Sequence, residues 1–229
     1  MPEVETSTVS LATNGGQADG FLARPAGGGP FPGVIVVQEW WGINDNIKDI
    51  ARRFAREGFA ALAPDLYHGQ VAKEPGEAQK LMMRMQMEDA SREVSKAVDY
   101  LASQAFTAGR GIGAVGFCMG GGLALLAACD NPKIQAVGTF YGVNPSPVDK
   151  IANLRGPVFA AYAENDAFAN QSMREALEGA MQQHAKQLET KVYPGTEHAF
   201  FNDTRPEVYN KSAADDAWQR VLKLFKDNL

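Results

Sequence analysis

The chain has 229 residues, 45% of them hydrophobic and 21% charged, with a formal net charge of −5. That supplies apolar material for a large core and excludes a mostly unfolded chain. The acidic balance also excludes the basic excess that holds nucleic acid or anionic membrane, which leaves a small molecule as the expected partner.

The opening MPEVETSTVS carries acids and hydroxyls where a secretory leader carries basic residues and an apolar run. No window approaches the roughly 18–20 apolar residues of a membrane span, and the longest candidate, around Leu123–Cys129, is far shorter. The two cysteines, Cys118 and Cys129, are eleven positions apart, on a turn and at the far end of the helix expected after it. At ~1.5 Å per residue those ends are roughly 15 Å apart, beyond the reach of a disulfide. A cytoplasmic location is the expectation, and a monomer is assumed.

Val4–Thr13 and Gly20–Arg24, joined by the turn-rich residues 14–19, predict an antiparallel hairpin. The loop Gly27–Pro30 follows, and then the pattern changes. Gly33–Val37, Phe59–Ala63, Ile112–Phe117, Ile134–Thr139 and Val158–Tyr162 are short apolar runs suited to strands buried on both faces, and Glu189–Tyr193 is a more polar edge strand. Helical spacing fills the intervals: Asn46–Glu57 with Gly58 as its stop, and Glu77–Leu101 as one long helix with Met82, Met85 and Val94 turned inward. Gly120–Ala128 is apolar almost all round, and Ser172–Ala185 and Glu207–Phe225 complete the set. Strands alternating with helices predict a mostly parallel, doubly wound α/β sheet covered on both faces, with the hairpin at its N-terminus. With no repeat or linker to divide it, residues 1–229 are expected to form a single domain.

Gly116-Phe117-Cys118-Met119-Gly120 falls where a buried strand ends and an apolar helix begins. In the pattern Gly-x-nucleophile-x-Gly the glycines let strand and helix approach closely, and the turn lifts the nucleophile off the sheet. The N–H of Met119 then faces a developing oxyanion, and the helix N-terminus favours a thiolate at Cys118. In the order nucleophile, acid, histidine, the run Val158–Tyr162 is followed by Glu164 and Asp166, and the next strand by His198. His198 is then the base that takes the thiol proton, with Asp166 orienting it. Position alone does not separate Asp166 from Glu164. His184 reads as a solvated helix residue, His68 follows a strand that precedes the nucleophile, and Cys129 reads as core. No cluster of His, Cys or acids has zinc spacing, no glycine loop is followed by Gly-Lys-Ser/Thr, and neither metal nor cofactor is expected. The loop Gln38–Asn44 borders the nucleophile turn in such a sheet and is the expected source of a second oxyanion donor, with its tryptophans facing a pocket.

These features together resemble the dienelactone hydrolase family of α/β-hydrolases: Gln38-Glu39-Trp40-Trp41-Gly42, Ala63–Tyr67, Gly116–Gly121, Phe140-Tyr141-Gly142 and His198-Ala199-Phe200, spread over nearly the whole chain. The resemblance implies an ester- or lactone-cleaving enzyme with a Cys118–His198–Asp166 triad and an oxyanion hole from the N–H groups of Trp40 and Met119. It also implies that Glu39 contacts the resting thiol and helps convert it to thiolate. Members that open dienelactones clamp the substrate carboxylate with arginines, one of them four residues after the histidine. Here that position is Asn202, the next arginine is Arg205, and the stretch before Met82 offers only Lys73 and Lys80. An asparagine lacks the charged fork that binds a carboxylate. A pocket of Trp40, Trp41, Tyr141 and Phe200 beside Asn202 therefore suits neutral electrophiles, among them aryl esters and phosphotriesters. A non-catalytic binding or thiol redox-sensing protein on the same fold is the alternative from another class.

Overall fold

The computed structural model describes residues 3–13 and 15–229; Met1, Pro2 and Asn14 of the expected hairpin turn lie outside the described residues. The hairpin is β1 (Val4–Ala12) and β2 (Gln17–Pro25), paired antiparallel from Val4 opposite Pro25 to Ala12 opposite Gln17. Six further strands are β3 (Gly33–Val37), β4 (Ala60–Pro64), β5 (Ile112–Phe117), β6 (Ile134–Phe140), β7 (Val158–Asn165) and β8 (Leu188–Glu197). They form one sheet in the order β1-β2-β4-β3-β5-β6-β7-β8, in which β2 joins β4 antiparallel and every later pairing is parallel. β3, β4 and β5 are buried at every position, as continuous apolar runs in a sheet covered on both faces must be.

Among the described residues six α-helices lie between and after the strands: α1 (Asp45–Arg56), α2 (Pro75–Arg84), α3 (Met87–Ala102), α4 (Met119–Asp130), α5 (Gln171–Gln183) and α6 (Lys211–Asn228). Asparagine side chains cap α1, α5 and α6: Asn44, Asn170 and Asn210 each accept from the backbone N–H three residues on. α1 and α6 share a face, where Phe54 packs against Trp218 and Phe225 at centroid separations of 4.5 and 5.8 Å. α3 and α4 pack together on the sheet. None of the helices among the described residues is long and apolar enough to cross a membrane.

Four sequence expectations change. The long helix over 77–101 is two helices, broken at Met85 and Gln86, both extended at ψ 129° and 126°. In one straight helix Met85 and Met87 would point roughly 160° apart; the break lets both pack against the core. Met82, expected inward, is 36% exposed. The last helix begins at Lys211 rather than Glu207, because Asn210 rather than an earlier residue provides the cap. The edge strand β8 runs on to Glu197, through a register shift against β7 between Ala163 and Asn165.

The consequence for function is positional. Gln38–Trp41, Cys118, Tyr141, Asp166 and His198 directly follow the C-terminal ends of β3, β5, β6, β7 and β8, the rim where open α/β sheets build their sites. Close approach at this rim depends on glycine. A Cβ on Gly116 would fall on the carbonyl of Gly120, and one on Gly120 would fall on the carbonyl of Gln38. Neither neighbour is a flexible side-chain tip, so the backbone would have to move. Gly116→Ala is expected to destabilise the fold by about 3 kcal/mol, read as a lower midpoint in urea unfolding; an unchanged midpoint would refute this packing.

Candidate active site

Cys118 occupies the residue between β5 and α4 with φ 55° and ψ −123°, a backbone conformation seldom adopted by non-glycine residues. It is held there from both sides: its N–H donates to the carbonyl of Phe140 (3.0 Å), and its carbonyl accepts from the N–H of Gly121 (3.0 Å). The thiol is thereby projected above the sheet with Met119 as the first residue of α4, whose N–H has no intrahelical partner. The β3–α1 turn carrying Glu39 and Trp40 runs against this first helical turn, since Gly120 abuts the carbonyls of Val37 and Gln38. The turn that carries Trp40 and the first residue of α4, Met119, thus lie on neighbouring segments. Tyr67 supports Met119 from below, its hydroxyl 3.7 Å from the methionine sulfur.

His198 stands between Cys118 and Asp166. Its Nδ1–H donates to Asp166 Oδ2 at 2.8 Å, and Cys118 lies close enough on its other side to act on the imidazole. The Asp166 side chain is fully buried, and its other oxygen accepts from the N–H groups of Phe168 (2.8 Å) and Ala169 (3.0 Å). Burial works against ionisation of Asp166, but His198 and the two N–H donors outweigh it and hold the acid below its ordinary range. On His198, burial disfavours the cation. The hydrogen bond it donates to Asp166, together with the hydrogen bond and charge of Cys118, overcomes this and raises the imidazole to about 10. Asp166 is thus distinguished from Glu164, which is exposed and accepts from the N–H of Gly195 at 2.8 Å.

Glu39 lies beneath this row, 3% exposed, with Oε1 accepting from the Tyr141 hydroxyl (3.3 Å) and Oε2 from Asn202 Nδ2 (3.0 Å). Its hydrogen bonds run to these two neutral donors. Burial pushes its carboxyl up, opposed by Asn202, His198 and Tyr141. The Tyr141 hydroxyl is pushed up strongly by burial and by the neighbouring Glu39 and Cys118, so it stays a proton donor to Glu39. Asn202 is fixed in turn: its Oδ1 accepts from the N–H (3.1 Å) and hydroxyl (2.6 Å) of Thr204. The adjacent Asp203 is paired with Arg53 of α1, and this tether ties the histidine loop to the other layer of the fold.

The aromatic residues sort differently from their sequence expectation. Trp40 and Trp41 are half-buried and meet edge to face at 5.1 Å. Trp41, Asn44, Lys73, Asn202 and Arg205 are among the residues lining a cavity of about 270 Å³ beside the histidine loop. Tyr141 lies under the imidazole at 5.0 Å between centroids, and is itself buried. Phe200, expected on the pocket wall, has no exposed surface and packs between Tyr141 (5.5 Å) and Tyr193 (5.0 Å). The positive φ of Ala199, 69°, reverses the chain after His198 and turns Phe200 inward. Phe168, which the sequence reading passed over, meets the His198 ring edge-on at 5.2 Å. Its only signal was a place two residues after the acid. The remaining histidines are elsewhere: His68 pairs with Glu93 (3.0 Å) and His184 with Asp149 (3.2 Å). Cys129 is buried at the far end of α4, where burial raises its thiol to about 12.

The profile of the dienelactone hydrolase family matches residues 18–229. Protein usf of Aquifex pyrophilus is 37% identical over 228 residues, covering 96% of this chain and 98% of its own. A protein of Saccharolobus solfataricus provisionally named carboxymethylenebutenolidase is 36% identical, covering 93% and 95%. Among solved structures, a protein of Klebsiella pneumoniae provisionally named as a dienelactone hydrolase superposes with a TM-score of 0.84 at 32% identity, covering 98% of this chain and 99% of its own. A dienelactone hydrolase-like promiscuous phosphotriesterase from metagenomic libraries shares the fold, with a TM-score of 0.90 at 23% identity and 98% of each chain covered. With its α/β sheet and a match over nearly its whole length, the chain belongs to the dienelactone hydrolase family and is a hydrolase of ester or lactone bonds.

Proposed function

We propose that the protein cleaves carboxylic esters or lactones by thiol acyl transfer, with Cys118 as nucleophile, His198 as base and acid, and Asp166 as its orienting carboxylate. The observation that carries this reading is the buried Asp166 bonded to His198, with the imidazole beside Cys118 on a strained turn where strand meets helix. The thiolate attacks the carbonyl carbon, and the carbonyl electron pair moves to an oxygen received by the N–H groups of Trp40 and Met119. Each such donor contributes roughly 2.7–4 kcal/mol to the transition state in enzymes where one has been removed. Collapse expels the alkoxide, which takes its proton from His198. Water then gives a proton to His198 and attacks the thioester, which returns the thiolate and releases the acid.

Position 202 bears on the substrate. Asn202 offers Glu39 a neutral donor, and Arg205 is paired with Glu207 at 2.8 Å. Neutral esters should therefore be turned over at least as well as carboxylate-bearing lactones, and neutral phosphotriesters could be attacked by the same thiolate. A panel of the three classes tests this, and strong selectivity for the carboxylate-bearing member would refute it. Cys118→Ala should lose about ten-thousand-fold or more in kcat/KM on every active substrate; activity surviving that substitution would remove the thiol from the mechanism.

A His198 value raised to about 10 means the imidazolium persists through neutrality and is lost above that value. For alkyl esters, whose leaving oxygen needs a proton, kcat/KM should fall on the alkaline side near there. Asp166→Asn removes a contact that raises His198, so this limb should move to lower pH while kcat/KM drops by about 10³–10⁴-fold. A limb that stays in place would show that Asp166 does not govern the imidazole.

A further inference from the structure

Four large hydrophobic side chains are exposed among the described residues: Val71, Met82, Met83 and Phe168. A single exposed apolar residue is ordinary, but the placement of Phe168 is not. It is 68% exposed, yet its backbone is fixed by the N–H bond to Asp166 Oδ1 (2.8 Å), and the following Ala169 is buried and bound to the same oxygen (3.0 Å). Its ring stands edge-on to the His198 imidazole, 5.2 Å between centroids at 64°. The other ring on that imidazole, Tyr141, is buried and committed to Glu39. Phe168 thus presents a positioned aromatic surface, open to solvent, beside the group that moves the proton.

The chemistry assigns what lies against that surface. When the tetrahedral intermediate collapses, the bond between the former carbonyl carbon and the leaving oxygen breaks. The electron pair stays on that oxygen, which takes the proton from His198. Proton transfer requires the leaving oxygen within hydrogen-bond reach of the imidazole, so the carbon group on that oxygen sits next to His198, while the acyl carbonyl is held at Trp40 and Met119. We propose that Phe168 is a specificity-determining residue, a platform on which an aryl or other flat apolar leaving group packs during acylation. The proposal rests on the acyl-transfer reading above. It implies that Phe168 acts in the first half-reaction alone, because the leaving group has departed before water attacks the thioester.

The test uses phenyl acetate and hexafluoroisopropyl acetate, which share an acyl group and have leaving groups of comparable acidity, only one of them aromatic. In Phe168→Ala the ratio of kcat/KM for the phenyl over the hexafluoroisopropyl ester should fall about fivefold to tenfold. The loss should appear in acylation, with the deacylation rate of the shared acetyl-enzyme retained, and Phe168→Tyr should restore the ratio. An unchanged ratio, a slower deacylation or a displaced pH profile in Phe168→Ala would overturn the platform and make the ring a shield for the Asp166–His198 pair. Phe168→Leu, which keeps apolar bulk without the aromatic face, should show the same fall if Phe168→Ala folds poorly. A parent protein that forms no acetyl-Cys118 would instead fail the acyl-transfer reading itself, whatever the variants do.

Discussion

Cys118 keeps a backbone conformation that costs a non-glycine residue on the order of 1–3 kcal/mol, and the packing around it is arranged to hold it there. β5 must deliver its last residue against the first turn of α4 with no Cβ at either flanking glycine, and the β3–α1 turn must press its carbonyls onto Gly120. Two further non-glycine residues with positive φ, Tyr141 and Ala199, sit just beyond the ends of β6 and β8, next to His198. Strain is concentrated at the rim that carries the candidate site, and the fully buried strands β3 and β5 beneath it supply the rigidity that keeps it in place.

Electrostatics continues the same arrangement. Asp166 is buried but receives three hydrogen bonds, so it stays ionised and favours the imidazolium. Glu39 is buried with two neutral donors and shifts the opposite way. Two carboxyls around one imidazole are thus pushed apart in their protonation behaviour by their partners, a division that accompanies distinct roles in acid–base sites. The Arg53–Asp203 pair matters here through position, since it holds the loop that brings Asn202 onto Glu39.

Much of this was legible in the sequence, for identifiable reasons. Strands buried on both faces must be continuous apolar runs, so β3, β5 and the turn at Cys118 could be read directly, and the places of Asp166 and His198 followed from strand ends. The break at Met85–Gln86 was not legible, because neither glycine nor proline marks it and only the need of Met85 and Met87 to reach one core explains it. Asp166 and Glu164 could not be separated, because their geometry depends on the β7–β8 register shift beside them. Phe200 was misplaced because the reversal at Ala199 depends on tertiary packing that overrides the ordinary preference of alanine. Phe168 carried no pattern at all, and only its contact with His198 gives it meaning.

The most direct measurement is the covalent state of the protein during turnover. Rapid acid quenching of the reaction with an activated ester, followed by intact-mass analysis and peptide mapping, should find one acyl group on the peptide carrying Cys118 and none on that carrying Cys129. Full turnover with both cysteines unmodified at every time point, or an acyl group on any other residue, would contradict the account.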